Sequence, residues 1–247
     1  MRLFILGGTG NSGQRLLRLS LARGHSVTAL VRDAAKLRAQ VAQPSPARLT
    51  ILEGGLDDEV ALAAQMIDHD CIINAAGNIG DGSSFPRLVQ SVINAATRTM
   101  GSGGRFWLFG GAGVLDVPGG GGLTLDLPLI PKVFEAHRTN FHAVSESPLD
   151  WSMLCPGPIV AAVDGQAHVG LRTSVDTWPC DPPSAVSRSL PRIAQSITFI
   201  RRVPQLTITY EDVATIILDH LECNGPFSRK RVGVALAIGM SAHKPRT

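Results

Sequence analysis

Cysteine is scarce in this sequence, and its spacing does not suit metal or redox chemistry. Cys71, Cys155, Cys180 and Cys223 form no C-x-x-C pair and no metal-like pattern with histidine, so no metal site is expected. Cys71 and Cys155 fall inside apolar strand patterns, where a free thiol packs as a small core residue. This usage suits a reducing compartment, and a cytoplasmic location is expected. Long hydrophobic runs are also missing, since none reaches the roughly 20 apolar residues of a bilayer span. At the N-terminus, MRLFILGGTG has a basic residue and a short apolar stretch. Only Leu3 to Leu6 is continuous, and a glycine turn follows at once, which reads as a first strand rather than an export signal. Concentrated charge is absent as well. The net charge of +3 is spread along the chain, and the short cluster Ser228-Arg229-Lys230-Arg231 flanks a strand pattern, as a solvated strand edge would. Neither a nucleic-acid nor a membrane partner is expected. Tyrosine occurs once, at Tyr210.

Apolar residues make up 44 % of the 247, enough for a sizeable core. They fall in strand-length runs that alternate with helical patterns. Strands are expected at Leu3–Leu6, Val27–Val31, Leu49–Leu52, Cys71–Ala75, Phe106–Phe109 and Trp151–Cys155. Helices are expected at Gln14–Arg23, Ala34–Val41, Glu59–Ile67, Phe85–Thr97 and Phe134–Glu146, the second closed by the Pro44-Ser45-Pro46 break. Such alternation implies βαβ units and a doubly wound, mostly parallel sheet. After Pro156 the pattern weakens, with no clean helix until about 188–200. Leu206–Thr209 then reads as a strand or edge. Thr209-x-x-Asp212 reads as a capping box for a helix through Glu222, and Arg231–Ala235 as a last strand. One domain over 1–247 is expected, with an irregular region at 157–228 on the substrate side.

The strongest motif is Gly7-Gly8-Thr9-Gly10-Asn11-Ser12-Gly13. It contains both G-x-G-x-x-G (Gly8, Gly10, Gly13) and G-x-x-G-x-x-G (Gly7, Gly10, Gly13). It follows a strand and opens a helix, the context of a dinucleotide-binding turn in a Rossmann fold. There the missing Cβ atoms let the backbone reach a pyrophosphate, and the helix N-terminus offers free N–H groups to it. Arg32, at the end of the second strand, stands where NAD-preferring sites carry an acid. A guanidinium there can grip a 2′-phosphate, so NADP(H) is expected over NAD(H). On the other reading, Arg32 is solvated and Asp33 caps the next helix.

On these residues the chain resembles the atypical short-chain dehydrogenase/reductases of the NmrA-like and biliverdin-reductase-B-like branch. Glu53-Gly54-Gly55-Leu56-Asp57-Asp58 is similar to that family's G-D-x-x-D, and Asn74-Ala75-Ala76-Gly77 to its small-residue cofactor lining. Leu149-Asp150-Trp151-Ser152-Met153-Leu154-Cys155-Pro156-Gly157-Pro158 is similar to L-D-W-T-I-L-R-P-G-P, and Thr209-Tyr210-Glu211-Asp212-Val213-Ala214 to S-x-x-D-V-A. Gly55 replaces the usual acid and Cys155 the usual arginine. The resemblance implies cofactor contacts from Leu56 and Asp57 near the adenine. Toward the nicotinamide it implies Ala75, Ala76, Gly77, Gly110, Gly111, Pro156 and Gly157. Glycines 110, 111 and 113 would let backbone approach the nicotinamide ribose, and Gly119–Gly122 reads either as a lid hinge or as an irregular surface loop.

The Y-x-x-x-K pair of typical short-chain dehydrogenases is missing: Val133 and His137 stand near those positions, and no serine follows the fifth strand. That absence argues against a sugar-nucleotide epimerase, whose chemistry needs a base. Two functions remain. One is an NADPH-dependent reductase of a small, already electrophilic acceptor such as a flavin, quinone or bilin, with His137 as candidate proton donor because imidazole titrates near neutrality. The other is a non-catalytic NmrA-like sensor of the nucleotide, acting through a protein partner.

Overall fold

The computed structural model describes residues 1–41, 47–77, 80, 82–119, 121–179 and 191–243. The proline break at 44–46 and Cys180 lie outside them. The described residues form ten strands and seven α-helices, and the first six strands with their helices follow the expected alternation. The first half runs β1 (Arg2–Leu6), α1 (Asn11–Ala22), β2 (Ser26–Val31), α2 (Ala34–Gln40), β3 (Leu49–Glu53), α3 (Glu59–Met66), β4 (Cys71–Asn74) and α4 (Ser84–Met100). The second runs β5 (Arg105–Phe109), α5 (Glu135–Ser145), β6 (Asp150–Cys155), β7 (Ile159–Val160), β8 (Arg172–Val175), α6 (Arg192–Leu206), β9 (Ile208–Thr209), α7 (Tyr210–Leu218) and β10 (Lys230–Ala235).

Eight strands form one sheet in the order β3-β2-β1-β4-β5-β6-β10-β8, and β7 pairs with β9 in a separate ribbon. The first six positions follow the doubly wound 3-2-1-4-5-6 order, which opens a crevice beyond the carboxyl end of β1. Among the described residues of this sheet, the β10–β8 pair alone is antiparallel. Alternate strand residues face opposite ways and build two apolar layers. Leu3, Ile5, Ala29, Ile73, Trp107 and Leu154 pack under α1, α2 and α7. Phe4, Leu6, Ile72, Phe106, Leu108 and Met153 pack under α3, α4, α5 and α6. Among the described residues no helix is long and apolar enough to cross a membrane.

Four sequence expectations are corrected. Helix α1 starts at Asn11 rather than Gln14, because Gly10 already serves as its N-cap. Helix α6 spans Arg192–Leu206 rather than 188–200, with Pro204 inside its last turn. Its final carbonyls find tertiary partners: those of Pro204, Gln205 and Leu206 accept from the N–H groups of Ala242, Leu236 and Gly157, at 2.8, 2.8 and 3.1 Å. These bonds support a helix end that local propensity would give up. Helix α7 stops at Leu218, short of Glu222. Finally, Arg231 is not on a solvated edge. Strand β8, unforeseen in the sequence, covers that side of β10. The Arg231 guanidinium is buried against Asp116 (2.8 Å), Asp176 (3.3 Å) and the Val114 carbonyl (2.7 Å).

Candidate dinucleotide site

The turn after β1 is built on two glycines that nothing larger could replace. Gly7 has φ +83°, and a Cβ there would lie 2.7 Å from the Ala75 oxygen and the Ala76 nitrogen. Turn and β4 exit are therefore in backbone contact, which brings Ala75 and Ala76 to the motif. A Cβ on Gly13 would overlap the Gly7 carbonyl oxygen. Gly10 differs. Its φ is −78°, open to any residue, and a Cβ would meet only the Gly7 oxygen, at 3.4 Å. Gly8 makes ordinary contacts of 3.5 Å with Ala29, Val31 and Leu37. The fold thus demands Gly7 and Gly13, and leaves open space above Gly10, in keeping with the G-x-x-G-x-x-G spacing.

That space lies at the mouth of α1. Its N-cap carries no side chain, its first turn has no acidic residue, and no side chain caps the N–H groups there. Such a terminus attracts an anion through free donors and the helix dipole. Thr9 is fixed through its carbonyl by Gln14 Nε2 at 3.0 Å. Asn11 and Ser12 begin the helix. This cradle fits the pyrophosphate of a dinucleotide.

Beyond β2, Arg32 is exposed. Asp33 caps α2, accepting from the Lys36 N–H at 2.8 Å. Glu53, to which the sequence assigned no role, takes the Ala34 N–H at 2.8 Å. Two carboxylates thus serve the α2 terminus. Leu56 is half-buried against the core, while Asp57 is exposed.

At the other end of the crevice, Gly77 (φ +112°) lies against the Phe85 ring, which meets His137 edge-on with centroids 6.0 Å apart. The His137 ring comes within about 3 Å of where a Gly111 Cβ would stand. Gly77, Phe85, His137 and Gly111 form one wall where β4 and β5 end. A Cβ on Gly110 would meet the Met153 side chain, and one on Gly113 the Leu125 side chain. Gly157 likewise packs on Leu206, and Pro156 holds the Ala112 N–H at 2.7 Å. The loop at 116–123 closes through Val117 N–H to the Gly122 oxygen at 3.1 Å, while Gly120 lies outside the described residues.

The expectation that His137 titrates near neutrality fails. Burial pushes its pKa down to about 4, and Nδ1 is buried with no hydrogen-bond partner among the described residues. The ring is neutral at pH 7. Val133 is exposed and brings no hydroxyl.

Tyr210, the single tyrosine of the sequence, starts α7 beside the start of α1. Asn11 Nδ2 donates to its hydroxyl at 3.3 Å. The two helices run side by side, tied again by Arg15–Glu211 (3.0 Å) and by Arg23–Asp219 (2.6 Å) at their far ends. Its proximity had no local signal, since it follows from helix packing across almost 200 residues of chain.

The chain is similar to several known proteins. YwnB of Bacillus subtilis is 31 % identical over 146 residues, covering 57 % of this chain and 62 % of its own. Isoflavone reductase homolog IRL of Zea mays is 32 % identical over 100 residues, covering 38 % of this chain and 31 % of its own. The chain spans between 24 % and 62 % of the length of the curated relatives it matches. A short-chain dehydrogenase/reductase of Veillonella parvula, solved in complex with NADP, shares the fold at TM-score 0.68 and 16 % identity, over 100 % of this chain and 99 % of that one. A family model described as NAD(P)H-binding matches residues 7–178. The chain therefore belongs to this NAD(P)H-binding family.

Proposed function

We propose that the chain is an NADP(H)-dependent reductase of a small electrophilic acceptor such as a flavin, quinone or bilin. It acts as one domain over 1–247, with 157–228 forming the substrate side. The observation that carries this reading is the uncapped N-terminus of α1 under the open space at Gly10. In this reading the backbone of Thr9, Gly10, Asn11, Ser12 and Gly13 holds the pyrophosphate. Gly7 and Gly8 shape the turn, and Arg32 takes the 2′-phosphate. Leu56 and Asp57 flank the adenine. Ala75, Ala76, Gly77, Gly110, Gly111, Pro156 and Gly157 border the nicotinamide half. Bound NADPH would supply the hydride. His137, neutral at pH 7, shields that end from water and adds no charge. With no charged acid at this wall among the described residues, the acceptor must already be electrophilic, and solvent supplies the proton.

The neutral His137 also favours a second reading, the nucleotide sensor that signals to a protein partner. Titration with NADPH and NADH, followed by a turnover screen with flavin, quinone and bilin acceptors, separates the two. NADPH binding with acceptor-dependent oxidation supports the reductase. Binding without turnover supports the sensor. A chain that binds neither nucleotide would refute both.

A further inference from the structure

The residues around Tyr210 look built to hold a phenol in place. Arg15 lies over its ring, 5.4 Å from the centroid. That guanidinium is itself fixed by Glu211 (3.0 Å) and by the Asn11 carbonyl (3.4 Å). Glu211 and Asp212 then anchor the segment after β7. Glu211 accepts from the Ala162 N–H at 3.4 Å. Asp212 takes the N–H and Nδ1 of His168 at 2.6 and 2.8 Å, and completes the capping box with Thr209. The start of α7 is therefore rigid, and Tyr210 loses little conformational freedom when it engages a ligand.

The hydroxyl accepts one bond, from Asn11 Nδ2. Among the described residues its own proton has no acceptor. Asn11 is the first residue of α1, so this free donor stands at the rim of the uncapped terminus, beside the N–H groups there. The side on which it stands follows from the layer. Helix α1 lies between α2, whose Leu37 packs near Gly8, and α7, just beyond which the His220 carbonyl accepts bonds from Arg105 and Trp107 of β5. Arg32 and the adenosine end belong to the α2 side, and Tyr210 to the opposite side.

We infer that Tyr210 is a cofactor-binding residue whose hydroxyl donates to the nicotinamide-side phosphate of a dinucleotide seated on α1. The inference rests on the cofactor reading above. In that arrangement the only tyrosine of the chain also couples cofactor binding to the loop at 162–168, through Glu211 and Asp212.

The test is Tyr210→Phe, which keeps the ring under Arg15 and removes only the hydroxyl. Binding of NADPH and of adenosine 2′,5′-bisphosphate is measured by calorimetry on the wild type and the variant. The expected result is NADPH affinity weaker by about tenfold, the scale of one hydrogen bond to a charged group, with the bisphosphate unchanged because it lacks the nicotinamide-side phosphate. Unchanged NADPH affinity, or equal weakening of both ligands, overturns the assignment of Tyr210 and leaves the cofactor reading standing. A wild type that binds neither ligand overturns both.

Discussion

Gly13 lies so close beneath Gly7 that a Cβ on the first would occupy the carbonyl oxygen of the second. Gly10, between them, meets no such obstacle. The two positions therefore separate folding from binding. Gly13→Ala should displace the turn, lowering the thermal midpoint and abolishing NADPH binding. Gly10→Ala should melt within a few degrees of the wild type yet bind NADPH at least about tenfold more weakly, because its methyl enters the space a pyrophosphate needs. Thermal denaturation and nucleotide titration of both variants check this. A Gly10→Ala protein with full affinity would remove the case for an anion above α1.

In the proposed function, cofactor choice turns on Arg32. It is exposed at the end of β2, and the nearby Asp33 and Glu53 are engaged with α2 backbone. Arg32→Ala should weaken NADPH binding by roughly tenfold or more, the value of a charge-assisted phosphate contact, and leave NADH nearly unchanged. Equal losses for the two nucleotides would mean that Arg32 does not meet the 2′-phosphate.

His137 makes stability depend on pH. Burial lowers its pKa from 6.5 to about 4 in the folded chain, so folding favours the neutral ring. Its contribution is complete above pH 6.5 and is lost as pH falls toward 4, where protonation of the unfolded chain pulls the equilibrium. The shift corresponds to about 3 kcal/mol. His137→Phe, which cannot titrate, should lose less stability than the wild type between pH 7 and pH 4, by about that amount in urea unfolding. Parallel curves for the two proteins would show that His137 is not held neutral.

Asp150 opens the segment that resembles the family's L-D-W motif, and its role is structural. It is buried beside the buried Arg105 at 3.6 Å, and accepts from the Asn224 N–H (2.7 Å) and the Ser228 hydroxyl (2.5 Å). Asp150→Ala should cost about 3–5 kcal/mol, the usual result of leaving one member of a buried ion pair uncompensated. Urea unfolding measures it. A loss below about 1 kcal/mol, typical of exposed pairs, would mean the carboxylate is effectively solvated.

Most of the architecture was legible because it is written locally. Strands β1 to β6 and their helices announce themselves through apolar periodicity, and the Thr209–Asp212 capping box forms as its spacing foretells. Strand β8 was not legible. Its four residues, Arg172–Val175, alternate between half-buried and exposed and carry no apolar run. It exists because β10 offers it an edge. The length of α6 was hidden for a related reason, since its last carbonyls are satisfied by segments far away in sequence.

The sequence by itself determined the order of elements, the glycine turn between β1 and α1, and the absence of the Y-x-x-x-K pair. Each depends on residues within a few positions of one another, where backbone preference and side-chain period decide the outcome. Only the tertiary structure decided which glycines the fold needs, that His137 is neutral, and that Tyr210 stands beside Asn11. Those properties arise from desolvation and from contacts across the chain. They exist only once the helices have packed onto the sheet.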